Sequence, residues 1–127
     1  MKNKLKIEEN QIEIDWNFDS GIIQSIIESK PLEGTANNIQ GEVFFYQFEL
    51  DIPFNGEERE VFKEGDIVYW RSPTDSNKFG ILFMYGNTEY GDGSKPRTSS
   101  PGIKIGSIKE IERIAAIATS KKLRLGW

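Results

Sequence analysis

Residues 65–86 run GDIVYWRSPTDSNKFGILFMYG, two apolar stretches separated by a polar turn. Ile67, Val68, Tyr69 and Trp70 form a short β-prone run, and Phe79, Ile81, Phe83 and Tyr85 then alternate with Gly80, Leu82, Met84 and Gly86. Alternation ordinarily gives a strand one buried and one wet face. Neither set is polar here, so both faces are expected to be covered. The intervening Ser72-Pro73-Thr74-Asp75-Ser76-Asn77 is rich in residues that bend and solvate a chain. The pattern predicts a central hairpin around which the remaining elements wrap.

The rest of the pattern supplies the wrapping. Residues 4–7 and 11–18 read as a hairpin about Glu8-Glu9-Asn10, with Ile12, Ile14, Trp16 and Phe18 on the buried face of its second arm. Asp19 or Ser20 is placed to cap a short helix whose Ile22, Ile23, Ile26 and Ile27 share a face and which Pro31 stops. A helix this short needs a sheet under it to persist. Residues 32–40 read as a loop, and residues 42–52 as the longest strand, ended by Pro53. Asn55-Gly56 signals a tight turn, with residues 57–62 returning as a strand. Residues 86–102 read as a long polar loop, and loops beyond ~12–15 residues are usually functional or disordered. Ile103 and Ile105 begin another strand. Ser107 and Glu110 have capping-box spacing before an Ile108, Ile111, Ile114, Ala115, Ala118 stripe, and Leu123, Leu125 and Trp127 alternate as a final strand.

The sum is a mainly β chain: a closed barrel of about eight strands with two short helices, residues 1–127 forming one domain. Pairing the first and last strands would remove exposed edges.

Composition narrows the chemistry. The 127 residues include neither cysteine nor histidine. There is thus no thiolate nucleophile, no sulfur-bound zinc and no imidazole base. Acid–base work would fall to carboxylates, lysine or tyrosine, and a metal would need an all-oxygen site. The net charge is −4, the signs are mixed along the chain, and nothing resembles a basic stripe for nucleic acid. No apolar run approaches the ~20 residues of a membrane span. A soluble, cytoplasmic protein is expected, without membrane or nucleic-acid partners and without a cofactor.

Three pieces of sequence together resemble a known family. They are Glu64-Gly65-Asp66-Ile67-Val68-Tyr69-Trp70, the strand end Phe83-Met84-Tyr85-Gly86-Asn87-Thr88, and the polar segment with Ser99-Ser100-Pro101. Upstream, Pro31-Leu32-Glu33-Gly34-Thr35-Ala36 followed by Gly41-Glu42-Val43 fits the same pattern. The chain resembles the cyclophilin-like fold family of small prokaryotic proteins over roughly its whole length. The resemblance implies a cyclophilin-type β-barrel and leaves the biochemical role undefined. Cyclophilins themselves isomerise X-Pro bonds, with an arginine that follows Phe-His stabilising the twisted amide. This chain has no histidine and lacks that motif, and Arg71 and Arg97 are the arginines near expected loop positions.

Candidate ligand-binding residues follow from position. In the long loop, Tyr90, Arg97, Thr98, Ser99 and Ser100 offer a cation and hydroxyls that could hold a carboxylate or a peptide backbone. Trp70 and Phe83, with Phe79, could line an apolar cleft, and Tyr46 could contribute a hydroxyl. Aromatics at strand spacing more often belong to a core. Glu33, Glu42, Asp66, Glu89 and Asp92 could pair as hydrolytic carboxylates, but chance pairs are expected among twenty acids. The reading is a non-catalytic domain that binds a peptide or small ligand through Tyr46, Trp70, Phe83, Tyr90, Arg97, Ser99 and Ser100. No catalytic or metal-binding residue is assigned. The alternatives are a weak or atypical peptidyl-prolyl isomerase and a structural subunit whose aromatics bury in a homo-oligomer.

Overall fold

A computed structural model describes residues 4–7, 10–17, 21–28, 32–48, 54, 56–72, 74, 78–88, 91, 93, 95–119 and 121–126. Strands account for 52% of the structure, with two short helices. A four-stranded antiparallel sheet contains β1 (Lys4–Ile7), β2 (Asn10–Glu13), β4 (Leu32–Thr35) and β11 (Lys122–Gly126) in the order β2-β1-β11-β4. A larger sheet, strongly curled into a half-barrel, contains β3 (Asp15–Trp16), β5 (Asn37–Ile39), β6 (Glu42–Phe48), β7 (Glu58–Val61), β8 (Asp66–Arg71), β9 (Lys78–Met84) and β10 (Arg97–Ser107). Its order is β3-β10-β8-β9-β6-β5, with β7 also on β10. The barrel-like class is as expected, but closure is less complete. Among the described residues the two sheets share no ladder, and the chain crosses between them at Ile14 and Ala36.

The central hairpin is central in fact. β8 and β9 pair from Ile67–Phe83 to Arg71–Phe79, with β10 flanking one side and β6 the other. Both faces are covered. Ile67, Tyr69, Ile81 and Phe83 enter the main core with Ile12, Trp16, Ile22, Ile23, Ile105 and Ile114. Val68, Trp70, Leu82 and Met84 form a second cluster with Phe62 and Phe44. Each large apolar side chain so buried is worth about 1.5–3 kcal/mol.

The first and last described strands pair, Lys4 opposite Gly126 and Ile7 opposite Leu123. The expected strand over 11–18 keeps its alternation, with Ile12, Ile14 and Trp16 buried and their neighbours exposed. It is nevertheless shared out: β2 pairs with β1, and β3 with β10 at Trp16–Gly106. The helix α1 (Gly21–Glu28) lays Ile22 and Ile23 on the core. The side chains of Asp19, Ser20, Ile26 and Ile27 lie outside the described residues.

Four local expectations are corrected. Residues 32–39 are not loop but β4 and β5, because their polar backbones find partners, β4 on the distant β11 and β5 on β6 across the turn at Gly41. Strand β7 does not return onto β6 but pairs with β10. Ser107 caps no helix. It stays in β10 opposite Asp66 and Asp15, and α2 (Ile111–Ala115) starts after Glu110, whose carboxylate accepts from Arg113 at 3.3 Å. The expected loop ends early, since Arg97 already belongs to β10. Thr88 Oγ1 anchors the turn before it, accepting from the Arg97 N–H at 3.1 Å and donating to the Arg97 carbonyl.

Candidate functional site

The site is built where the β8–β10 ladder stops. Its last rung is Trp70–Gly102. The next would be Arg71–Pro101, and proline has no N–H to give. The Ser100 hydroxyl makes a long contact to the Arg71 carbonyl instead, at 3.4 Å. Beyond this last rung an open cleft of about 470 Å³ lies between Phe54, Glu58, Arg71, Ser72, Thr74, Ser100 and Pro101.

Arg71 is exposed, while the five β8 residues before it are buried. Its guanidinium carbon stands 4.8 Å from the centre of the Phe54 ring. Phe54 tilts at 55° against Tyr69, ring centres 5.5 Å apart, and Tyr69 stacks on Phe79 at 5.7 Å. The three rings carry the cation from the core to the cleft. Burial pushes the Tyr69 phenol well above its ordinary pKa, and the Arg71 charge pulls it back in part. Ser72 and Thr74 hydroxyls lie 3.2 Å apart on the rim, and the Thr74 N–H donates to Ser72 Oγ at 3.3 Å.

The chain has five arginines. Arg59 pairs with Glu57 at 3.4 Å, Arg97 with Glu60 at 3.0 Å, Arg113 with Glu110 at 3.3 Å and Arg124 with Glu33 at 3.3 Å. Among the described residues Arg71 has no carboxylate partner, although Glu58 lines the same cleft.

Of the residues singled out from sequence, Ser100 lines this cleft. Arg97 is held to Glu60 and is not among the lining residues. Trp70 and Phe83 are buried on opposite faces of the sheet, Phe83 in the main core and Trp70 in the second cluster. Tyr46 lies in β6 opposite Gly80 and Ser99 lies in β10, with side chains outside the described residues, as is Tyr90 altogether. Arg71 was visible in sequence as a cation ending an apolar strand. Phe54, beside Pro53 and a turn signal, carried no sign of its place beneath it.

Among the described residues the scattered carboxylates form no group of three or more. Glu33 pairs with Arg124. Asp66, buried, holds Lys104 at 3.1 Å and accepts the Lys63 N–H at 2.9 Å. Glu89 and Asp92 lie outside the described residues. Among the described residues no group of three or more acidic side chains could hold a metal ion, and no helix is long and apolar enough to cross a membrane.

A curled, mainly β half-barrel with a cleft at the end of its central hairpin defines the architecture. The family model described as Cyclophilin-like matches residues 1–125, and the chain belongs to that family. Among solved structures it is similar to a hypothetical protein from Archaeoglobus fulgidus determined in solution. The TM-score is 0.69 and the identity 20%, over 96% of this chain and 90% of that one, a likeness that shows the fold alone. No curated protein matches the chain.

Proposed function

We propose that this protein is a non-catalytic binding domain that holds a peptide or small ligand in the cleft at the end of β8. The carrying observation is Arg71: a cation seated on an aromatic column, facing a cleft rimmed by hydroxyls, with no carboxylate partner among the described residues. Ligand sites commonly combine such an aromatic floor with a few convergent polar groups. A sequence without histidine and cysteine lacks the commonest catalytic bases and nucleophiles, which favours binding over reaction.

The test is an amide NMR titration with a small library of short peptides and small polar molecules. Shifts clustered at Arg71, Ser72, Thr74 and Ser100 support the reading. Alanine variants at Arg71, Arg97 and Ser99 then locate the site. Loss of binding at Arg71 alone keeps it in the cleft, and loss at Arg97 or Ser99 moves it along β10. No shifts at millimolar ligand reject it.

A second reading is retained because an arginine does stand over an aromatic ring beside a cleft. Rotation about an X-Pro bond faces a barrier of ~18–20 kcal/mol, which a guanidinium donor at the twisted amide nitrogen could lower. The apolar lining is limited to Phe54 and Pro101, which suits a polar ligand better than a proline ring. Exchange NMR on X-Pro peptides decides. Acceleration that Arg71→Ala abolishes would establish an atypical isomerase, and none would remove the reading.

A further inference from the structure

We infer that the group recognised in this cleft is a singly charged carboxylate, with Arg71 as its fork. The inference rests on the binding reading and adds the ligand's chemical class. Contact with Phe54 uses the charge of the guanidinium and none of its five N–H donors. It also restrains a long side chain, so less freedom is lost when an anion binds. The donors match a planar carboxylate in a two-point arrangement. Ser72, Thr74 and Ser100 place hydroxyls on the rim of the same cleft; the Ser72–Thr74 pair and Ser100, with its long 3.4 Å contact, would have to turn a proton toward the ligand to donate to a remaining carboxylate oxygen.

Glu58 sets the charge. It lines the cleft, and among the described residues it closes no ion pair on Arg71. Arg71 attracts the ligand's first negative charge against the repulsion of Glu58, and a second charge would meet Glu58 with no further cation among the lining residues to offset it. The cleft therefore favours a monocarboxylate over a phosphate dianion. A peptide's C-terminus and a small organic acid both present this group.

The experiment titrates the full chain, by NMR or calorimetry, with four probes. These are an N-acetylated Ala-Ala-Phe peptide with a free C-terminus, its C-terminal amide, benzoate, and inorganic phosphate. The expected result is that the acid shifts Arg71, Ser72, Thr74 and Ser100 and binds at least about tenfold more tightly than the amide, the scale of a charge-assisted hydrogen bond. Arg71→Gln should remove that preference, Arg71→Lys should recover part of it, and Arg97→Gln should leave it intact. Glu58→Gln should tighten the acid and let phosphate bind. Benzoate binding as well as the peptide assigns a small acid, and a tighter peptide assigns a chain terminus. Acid and amide binding equally in the cleft would overturn the carboxylate inference while leaving the binding reading in place. Absence of any shift there would overturn both. Arg71→Gln retaining the preference while folded, with an unchanged melting curve, would also overturn the inference.

Discussion

Tyr85 donates its phenolic hydroxyl to Asn38 Oδ1 at 2.7 Å, and this settles which way the Asn38 amide faces. Its nitrogen is left to donate to the carbonyls of Ala115 at 3.0 Å and Ile117 at 2.6 Å, at the C-terminal end of α2. The Asn38 N–H donates to Thr119 Oγ1 at 3.0 Å. One side chain on the edge strand β5 thus closes the end of a helix that is too short to hold itself. Asn38→Ala should cost about 1–3 kcal/mol, since the last helix carbonyl, the Ile117 carbonyl beyond it and a phenol lose their partner. Tyr85→Phe should cost less. Urea unfolding gives the totals, and hydrogen exchange should localise the loss to residues 115–119. Uniform exchange changes would argue against a local clamp.

Gly41 turns β5 into β6 at φ +85°, and its carbonyl accepts the N–H groups of Tyr85 at 2.8 Å and Gly86 at 3.0 Å. A Cβ there would run into the carbonyl oxygens of Asn87 and Gly86. Gly41→Ala should therefore lose about 1–3 kcal/mol to backbone strain, with the clash in addition. A urea midpoint within about 0.5 kcal/mol of wild type, the range of ordinary surface changes, would contradict this.

Burial holds the Tyr69 phenol in its neutral form, which predicts a pH dependence. The unfolded phenol ionises near pH ~10 and the folded one only above that. Below this pH both states keep the proton and the contribution is constant. Above it the unfolded chain loses its proton first and binds fewer protons than the folded chain, so stability falls as pH rises. The slope should approach about 1.4 kcal/mol per pH unit. Tyr69→Phe should flatten the curve above pH ~10 relative to wild type. The lysines and other tyrosines contribute to both curves, so the difference isolates Tyr69.

Asp66 ends the turn that leads into β8. Its carboxylate is buried, accepts from the Lys63 N–H and faces the Lys104 ammonium. Asp66→Ala should cost about 1.5–3 kcal/mol, the range for a hydrogen bond to a charged group. Lys104→Ala should cost less, because the ammonium is partly exposed and screened. Equal losses in the two variants would mean that the ion pair, and not the turn, carries the stability.

Trp70→Ala and Phe83→Ala test the aromatics of the central hairpin. Both side chains are buried, on opposite faces, so each truncation should cost about 3–5 kcal/mol through a cavity. If either residue instead contacts the ligand, conservative Trp70→Phe or Phe83→Leu variants that remain folded would weaken binding in the titration above.

Much of this architecture was legible because it is written in local pattern. The alternation of Ile12, Ile14 and Trp16, and the doubly apolar 67–70 and 79–85 runs, state which residues avoid water. Side chains on a strand repeat every two residues, so no distant information is needed to read them. What the pattern does not carry is which strand lies beside which. Residues 37–39, Asn-Asn-Ile, look like loop because nothing in their side chains marks a strand, and only the free edge of β6 makes them one. Strand β7 carries a turn signal that points to β6, yet it pairs with β10, a partner that its own residues do not name. Ser107 has the spacing of a helix cap, and the partners waiting at Asp66 and Asp15 hold it in a strand. The candidate site belongs to the same class of fact. Nothing in the sequence says which of the five arginines will find a carboxylate, and four of them do after folding. Sequence by itself determined the burial pattern and the family, through local periodicity and motif order. The tertiary structure alone decided strand partners and the setting of Arg71 over Phe54, because edge availability and charge pairing depend on residues that are distant in the chain and adjacent in space.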